Sequence, residues 1–330
     1  MTLPRIAIAL GDPAGIGPEI ALKAALDERV RNVCRPLLVG DRRVVDTHAQ
    51  LCGLAPRIRG FREAAQIDWE GAGLAMLELN QFPAGTFALG EIRAAHGRAA
   101  CDAARAAIQA ALDGQVDAVV AAPQTETAIK LAGIEFDGYP SFVARCTGVA
   151  AEDAFLMICF DSTRIVHTTL HVSLRQAITL ITKERVGAVI RSADAALKRI
   201  GIAKPRLAVS GLNPHAGEDG MFGSEEKEII SPAVIAAKAA GVDVAGPFGA
   251  DTMFHHAGYD AFIVMIHDQG HIAAKLQARN RTAGLTIGTP VLFSSVAHGS
   301  ALDIAGKNLA SPAAVIEAVE RLAGAAAAAG

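Results

Sequence analysis

The chain has 330 residues, a formal net charge of -3 at pH 7, and a residue content that is 51% hydrophobic. This length favours two domains over a single core. Acids and bases are spread along the chain without a basic stripe, so we expect no nucleic-acid partner. No apolar run reaches the ~20 residues that a membrane span needs. No signal peptide precedes the first strand pattern, so we expect a cytoplasmic protein without a membrane partner.

Short apolar runs alternate with longer helical patterns along the chain. The strand-like runs are 6–10, 36–39, 118–122, 155–160, 165–170, 207–209 and 262–266. The helical patterns are 95–112, 183–199, 224–240 and 311–329. Continuous apolar strands separated by helices predict an α/β fold with a mainly parallel sheet. Cysteine spacing adds no constraint, because the five cysteines form no Cys-x-x-Cys pair and lie in or beside apolar segments, as buried thiols do.

A glycine-rich segment, Gly11 to Glu19, follows the first strand pattern and opens a helix. It is neither G-x-G-x-x-G nor followed by Gly-Lys-Ser/Thr, so the Rossmann and P-loop interpretations fail. A tight strand-to-helix turn, with Pro18 in the first helical turn, explains the segment without a ligand. A cofactor loop explains it equally well, and the residues alone leave both interpretations open.

Three histidines, His171, His215 and His267, each follow a short apolar run and precede a polar or Gly-containing turn. Strand ends of this kind can bring side chains to one point, and three neutral imidazoles suit a divalent cation with an open coordination position. Asp268 and Gln269 directly follow His267 and could fix the tautomer of its imidazole. The alternative is that each is an ordinary histidine whose polar atoms are satisfied within the core.

Other polar residues have simpler explanations. His48 and His96 are expected to be satisfied core residues or exposed. His167 lies four residues before His171 on a predicted strand, which places the two roughly 13 Å apart, too far to share a cation. Asp251 and Asp303 follow loop segments, so they are either turn residues or carboxylates near a cation or cofactor.

Taken together, these segments resemble the 4-hydroxythreonine-4-phosphate dehydrogenase (PdxA) family. The matching segments are 11–19, 211–218, 246–247 with 250–252, 267–270 and 298–307. The resemblance implies a two-domain α/β fold similar to isocitrate and isopropylmalate dehydrogenases, non-Rossmann, with the active site in the interdomain cleft. We expect a first α/β domain over 1–130 plus about 300–330, and a second over 131–299 that carries the dimer contacts.

The resemblance also implies a homodimer that uses NAD and one divalent metal per site. The metal would be held by His171, His215 and His267, the last reaching in from the partner subunit. Zinc is the first expectation; Mg, Mn, Co and Fe are alternatives. The residues expected to contact NAD are Gly11, Asp12, Thr252, Gln269, Ser295, His298 and Gly299.

The implied reaction is oxidation of a hydroxyl β to a carboxylate by hydride transfer to NAD, followed by loss of CO2. Lys275 is expected to face a substrate carboxylate. Asp251 and Asp268 are expected to assist the metal or relay protons. A catalytically dead metal-binding or regulatory homologue is the alternative from another class.

The chain departs from the family pattern at the substrate's phosphate end. Gly138-Tyr139-Pro140 replaces Gly-His-Thr, while Gly284 and Phe293 replace an Asn and an Arg. A buried phosphate without its Arg partner would cost several kcal/mol. We therefore expect a flat or cyclic substrate; the alternative is a misaligned loop, or replacement of the lost Arg by Arg279 or Arg281. The predicted substrate pocket consists of Tyr139, Pro140, Ser141, Gly284 and Phe293.

A second resemblance is to the terephthalate cis-dihydrodiol dehydrogenases, a branch of the same family. It rests on 126–129, 132–134, 138–141, 164–167, 270–272, 294–296 and 298–300. It implies oxidation and decarboxylation of 1,2-dihydroxy-3,5-cyclohexadiene-1,4-dicarboxylate to protocatechuate. A second ring carboxylate needs a cation, for which Arg145 and Arg175 are candidates. The rival substrate is a phosphorylated hydroxy acid such as 4-phosphohydroxythreonine, 4-phosphoerythronate or 4-phosphothreonate.

Overall fold

The computed structural model describes residues 3–83, 86–278, 282–296 and 298–329. Arg279 and Arg281, considered above as phosphate partners, lie outside the described residues. The chain divides into two compact units. Unit 1 comprises residues 1–139 and 290–328, and unit 2 comprises residues 140–289.

Unit 1 is built on a parallel sheet with the strand order β3-β4-β2-β1-β5-β12. Its strands are β1 (Arg5–Ala9), β2 (Arg35–Gly40), β3 (Ile58–Phe61), β4 (Leu74–Glu78), β5 (Ala118–Ala121) and β12 (Phe293–Val296). Its helices are α1 (Gly17–Leu26), α2 (Glu28–Val33), α3 (Arg42–Leu51), α4 (Ala94–Leu112), α5 (Glu126–Leu131) and α11 (Ala313–Ala329). The apolar strands β1 and β5 are buried over nearly their whole length, which is typical of central parallel strands.

Unit 2 has a mixed sheet with the order β11-β6-β7-β10-β8-β9, parallel from β7 to β9 and antiparallel at β11-β6 and β6-β7. Its strands are β6 (Phe155–Phe160), β7 (Thr163–His167), β8 (Arg206–Ser210), β9 (Asp243–Phe248), β10 (Ala261–Val264) and β11 (Ala283–Ile287). Its helices are α7 (Leu174–Leu180), α8 (Lys183–Arg199), α9 (Ser231–Ala239) and α10 (His267–Ala278), while α6 (Tyr139–Thr147) begins at the unit boundary.

The predicted α/β class is confirmed, and two of the differences from the predicted element ends bear on the site. The strand expected over 165–170 ends at His167, because the chain turns away after Thr168 and Thr169 donate to carbonyls at the end of β10. The helix expected over 224–240 begins with a π-helical turn, Glu226–Ile230, before α9.

Cys34, Cys52, Cys101 and Cys159 are buried, and burial raises the pKa of the Cys34 thiol to about 12. No helix in the described part of the chain is long and apolar enough to cross a membrane.

Candidate functional site

Three neighbouring parallel strands of unit 2 end at the same edge of its sheet. Their order is β7-β10-β8, and ligand sites in α/β sheets lie beyond the carboxyl ends of the strands. His171 follows the end of β7, His267 follows β10 and opens α10, and His215 follows β8. The sheet topology therefore places all three predicted metal ligands at one edge.

His171 and His267 lie close together at this edge. Their ring centroids are 5.6 Å apart. Two imidazoles that share a zinc ion at about 2.0–2.1 Å have centroids roughly 5 Å apart, so the pair fits one cation in donor chemistry and separation. Among the described residues, however, no group of three or more His, Cys, Asp or Glu side chains is arranged to hold a metal. A single chain therefore brings His171 and His267 together, while His215 does not join them in a three-ligand metal site among the described residues.

Asp268 sets the tautomer of the His267 imidazole. Nδ1 of His267 donates to Asp268 Oδ1 at 2.6 Å. A proton on Nδ1 leaves the lone pair on Nε2 available, which is the state that a metal ligand requires. The partner expected from the sequence is therefore present, and Asp268 acts on the imidazole directly. Its predicted role as a proton relay stays a prediction.

His167 and His271 were not predicted to belong to the site, yet both lie within it. The ring of His271 stacks on that of His267 with centroids 3.7 Å apart, and its Nδ1 lies 3.0 Å from Nε2 of the buried His167. The 13 Å estimate assumed an extended strand as far as His171, whereas β7 ends at His167 and the chain turns after it. The spacing of His267 and His271 on one helix face is the signal that could have identified His271.

Gly270 allows α10 to approach β7 closely enough for these contacts. A Cβ atom at Gly270 would lie 2.4 Å from Nε2 of His167 and 2.8 Å from Cγ2 of Ile165. A side chain there would push the helix away from the strand. The family-like segment His267-Asp268-Gln269-Gly270 therefore includes a residue that is needed for packing.

Burial, together with the neighbouring His271, His267 and His171, lowers the pKa of His167 to about 3. Because the folded pKa is below the ordinary value near 6.5, the unfolded chain binds more protons in acid. The contribution to stability is present above pH 6.5 and is lost as the pH falls towards 3. We expect a loss of about 2 kcal/mol from this residue between pH 7 and pH 5.

Urea denaturation with chelator present, at several pH values, measures this effect. The pH slope of the free energy of unfolding should be shallower in His167→Gln than in the wild type. His255→Gln, at an exposed position of the same unit, is the matched control and should keep the wild-type slope. Equal slopes for His167→Gln and the wild type would show that His167 is not held neutral.

His215 lies in an unusual turn. Residues 215–219 all have positive φ, including the non-glycine residues His215, Ala216, Glu218 and Asp219. Left-handed backbone costs roughly 1–2 kcal/mol for each such residue. Strain of this kind is found where the surrounding structure imposes it, often at functional sites.

The buried carboxylate of Glu226 holds the residues that lead into this turn. It accepts hydrogen bonds from the backbone N–H groups of Leu212 (2.7 Å) and Asn213 (2.8 Å) and from Nδ2 of Asn213 (2.9 Å). These hydrogen bonds lower the pKa of Glu226 against the opposing effect of burial. Asn213, Pro214 and His215 were singled out in the sequence, whereas Glu226 was not.

The predicted residues Asp251 and Thr252 lie beside the His215 turn. A Cβ at Gly249 would be 2.9 Å from Oδ1 of Asp251, 3.2 Å from Oγ1 of Thr252 and 3.9 Å from Cα of His215. Both Asp251 and Thr252 are exposed. The loop after β9 therefore brings a carboxylate and a hydroxyl next to a predicted metal ligand.

Gln269 and Lys275 occupy different faces of α10. The side-chain oxygen of Gln269 accepts from the backbone N–H groups of Met265 (2.9 Å) and Ile266 (3.2 Å), and its nitrogen donates to Gly211 O (3.1 Å). These bonds join the ends of β10 and β8, so Gln269 supports the site. Lys275 is exposed two turns after His267 on the same face. The NAD contact expected of Gln269 stays a prediction.

In unit 1, the predicted cofactor residues come together at the carboxyl end of β1. Gly11 has φ +69°, and a Cβ there would lie 2.1 Å from Pro123 O, so only glycine fits the turn. Asp12 is buried; its Oδ1 accepts from Ala14 N at 2.9 Å, and its Oδ2 has no partner among the described residues. The 298–300 segment packs here too, since Ser300 O accepts from Ile16 N at 2.8 Å.

The remaining predicted cofactor residues flank this turn. Ser295 pairs with Ala121 in the β12-β5 ladder, while His298 is half-buried and Gly299 is exposed. A buried carboxylate oxygen without a partner, next to a glycine turn, suits a ligand that presents hydroxyl or N–H donors. The turn-only interpretation of residues 11–19 leaves this oxygen unexplained.

The predicted substrate residues of unit 1 form an aromatic layer. The rings of Tyr139 and Phe293 have centroids 4.9 Å apart, and Phe136 meets Tyr139 edge-on at 5.6 Å. Phe293 is completely buried, whereas Tyr139 is partly exposed. Phe293 therefore lies behind Tyr139, and a ligand would meet Tyr139 first.

The remaining predicted substrate residues belong to unit 2. Pro140 and Ser141 lie in the first turn of α6, and Gly284 pairs with Ile158 in the buried strand β11. The carboxylate partners suggested by the sequence, Arg145 and Arg175, are exposed in α6 and α7.

Comparison with known proteins first defines the fold class. A β-decarboxylating dehydrogenase from Thermococcus kodakarensis superposes with a TM-score of 0.50 at 18% identity, over 96% of this chain and 82% of that one. This likeness shows the fold alone, and it agrees with the α/β fold class expected from the sequence. More specifically, residues 32–322 match the family described as "Pyridoxal phosphate biosynthetic protein PdxA", and the chain belongs to that family.

Relatives within the family carry two kinds of name. A protein of Symbiobacterium thermophilum, provisionally named D-threonate 4-phosphate dehydrogenase, is 42% identical over 96% of this chain and 95% of its own length. The 1,2-dihydroxy-3,5-cyclohexadiene-1,4-dicarboxylate dehydrogenase of Comamonas sp is 40% identical, covering 96% of both chains. A terephthalate 1,2-cis-dihydrodiol dehydrogenase structure from Burkholderia xenovorans LB400 is 41% identical, with a TM-score of 0.73, over 97% of this chain and 98% of that one.

Proposed function

We propose that this protein is an NAD- and divalent-metal-dependent dehydrogenase that oxidises and decarboxylates a cyclic cis-dihydrodiol carboxylate. The proposed substrate is the terephthalate dihydrodiol and the product is protocatechuate. The observation that carries this choice is the partly exposed ring of Tyr139, which rests on the buried ring of Phe293 with centroids 4.9 Å apart, at a position expected to contact the variable end of the substrate. A substrate ring can stack on Tyr139, whereas a phosphate finds no cationic donor on this pair, and the Tyr139 hydroxyl is directed to Ala122 O.

The metal would be held by His171, His215 and His267. Imidazole nitrogens suit zinc and other transition metals, and Asp268 leaves Nε2 of His267 available. When bound, such a cation would polarise the substrate oxygen as a Lewis acid. His167 and His271 would fix the plane of His267, because His271 stacks on that ring and meets His167 behind it.

We propose a homodimer in which His267 contributes to the site of the partner subunit. The exposed apolar side chains near this site support an interface there. Ile272 (57% exposed) and Leu276 (79%) lie one turn apart on α10, the helix that His267 opens, and Leu174 and Ile178 are similarly placed on α7. Because His171 and His267 of one chain already lie 5.6 Å apart, the subunit origin of His267 needs a direct test.

NAD would contact Gly11, Asp12 and the 298–299 segment of unit 1; Thr252 is a further predicted contact. The unpartnered Oδ2 of Asp12 can accept a hydrogen bond from a ribose hydroxyl or an amide. In the reaction, the carbinol C–H bond gives its hydride to NAD and the hydroxyl proton leaves to a base. The C–C bond to the carboxylate would then break, releasing CO2, and its electrons would form the enolate that completes the aromatic ring; the enolate oxygen would then take up a proton.

The chain's own residues would supply charge and position for these steps. Lys275 carries an ammonium group on the same face of α10 as His267 and is exposed, so it can reach a substrate carboxylate. Asp251 lies beside the His215 turn and is the carboxylate best placed to take a proton near that ligand. We therefore assign Lys275 to carboxylate binding and Asp251 to proton transfer.

The rival function is oxidation of a phosphorylated hydroxy acid. The Symbiobacterium relative, at 42% identity, favours it. The two proposals share the metal and NAD chemistry and differ only at the far end of the substrate. Tyr139 and Phe293 are the residues proposed for the far end of the substrate. The relative turnover of the two kinds of substrate therefore decides between the proposals.

NADH formation should be followed with the terephthalate dihydrodiol and, in parallel, with the 4-phosphates of hydroxythreonine and D-threonate. We expect turnover of the dihydrodiol, with protocatechuate and CO2 as products. Tyr139→Ala should raise KM for the dihydrodiol by about tenfold, the value of one aromatic contact, and Tyr139→Phe should keep the wild-type KM. Turnover of a phosphate ester alone would reject the proposal.

A further inference from the structure

The turn that carries His215 has a conformation that its own sequence does not favour. Five consecutive residues, 215–219, are left-handed, and four of them carry side chains. Such a turn persists only when contacts outside it impose the geometry. Those contacts must include groups that bind both the entry to the turn and its interior.

Glu226 makes contacts on both sides of the turn. On the entry side its carboxylate receives the three N–H bonds from Leu212 and Asn213. A Cβ at Gly211, also on the entry side, would lie 3.0 Å from Oε1, and one at Gly217, inside the turn, would lie 2.7 Å from Oε2. Both glycines are therefore positions where the backbone closes directly on this carboxylate.

Two further features single out Glu226. It is only 4% exposed, whereas carboxylates are rarely buried without a specific partner. It also begins the π-helical turn that precedes α9. Such turns are frequent at functional sites, because the wider turn redirects a side chain.

We propose that Glu226 is a positioning residue that holds the 215–219 turn in the conformation that presents His215 to the metal. A neutral amide replaces it poorly: with its oxygen on the backbone N–H groups of Leu212 and Asn213, its nitrogen would face Nδ2 of Asn213, and the remaining bonds would lose the carboxylate charge that strengthens them. Glu226 does not touch the metal or the substrate. The metal-binding part of this proposal rests on the proposed function, while the turn itself does not.

The test compares Glu226→Gln with Glu228→Gln, a matched loss of charge at an exposed residue of the same π-helical turn. Metal-free protein is first studied by hydrogen exchange. Glu226→Gln should speed exchange of the amides in 212–222 by roughly tenfold, with the sheet strands unchanged. Unchanged exchange in 212–222 would overturn the proposal, whatever the metal result.

Metal binding is then measured by calorimetry with Zn2+ and by the visible spectrum of added Co2+. Glu226→Gln should weaken binding roughly 10- to 100-fold and lower the Co2+ band intensity. Glu226→Asp should recover part of the affinity, because it restores a carboxylate. Wild-type affinity and an unaltered Co2+ spectrum in Glu226→Gln would overturn the positioning role. If the wild type binds neither ion, the proposed metal site is rejected. Hydrogen exchange in 212–222 then remains the test of whether Glu226 holds the turn.

Discussion

His267→Ala should lower kcat by roughly 10³-fold or more, because loss of Lewis-acid stabilisation is worth several kcal/mol. The same variant should lose stoichiometric Zn2+ binding. His255→Ala, an exposed histidine of the same unit, should retain both properties. Steady-state kinetics with and without chelator, together with calorimetry, measure the effect. Full activity of His267→Ala, or wild-type activity in chelator, would contradict the metal role.

Mixing variants decides which subunit supplies His267. If it acts across the interface, co-expressed His171→Ala and His267→Ala chains form heterodimers in which one site has all three histidines. Random pairing should then restore about a quarter of wild-type activity. If His267 acts within its own chain, as its 5.6 Å distance from His171 permits, every mixed site lacks a ligand and activity stays at the level of the single variants.

Phe293→Arg should destabilise the protein by several kcal/mol, because it buries an unpaired guanidinium where Phe293 is 0% exposed. The expected result is loss of the folded protein, or a large fall in the free energy of unfolding by urea denaturation. Phe293→Leu keeps an apolar core and should cost about 1–2 kcal/mol.

The alternative outcome is equally informative. A Phe293→Arg protein with wild-type stability, and with new activity towards a 4-phosphate ester, would mean that position 293 faces substrate. That outcome would contradict the packing of Phe293 behind Tyr139 and would favour the phosphorylated hydroxy acid. Phe293→Leu should keep the choice of dihydrodiol, because the Tyr139 ring remains in place.

The sequence predicts the alternation of elements and the three histidines well, because both depend on local patterns. Apolar runs bounded by turn residues identify strands such as β6, and the run over 183–199 identifies α8 in full. Histidines that follow such strands fall at the carboxyl edge of a parallel sheet without any knowledge of strand order. Family segments such as 11–19 then identify the family, which the match over 32–322 confirms.

Contacts between distant segments could not be predicted in this way. His167 looked remote from His171 because an extended strand was assumed, and the strand ends at His167. Glu226 was expected only as an acid in the first turn of a helix, since its partners Leu212 and Asn213 lie more than ten residues earlier. The hydrogen bonds of the Gln269 amide to the backbone of neighbouring strand ends were likewise not predicted.

The sequence by itself determined the α/β class, the family and the presence of three histidines after strand-like runs, because each is a property of residue type and local order. Only the tertiary structure decided that Phe293 is buried behind Tyr139, that His271 and His167 support His267, and that a left-handed turn presents His215. Those features depend on which side chains meet across the sheet, and packing between distant segments sets them.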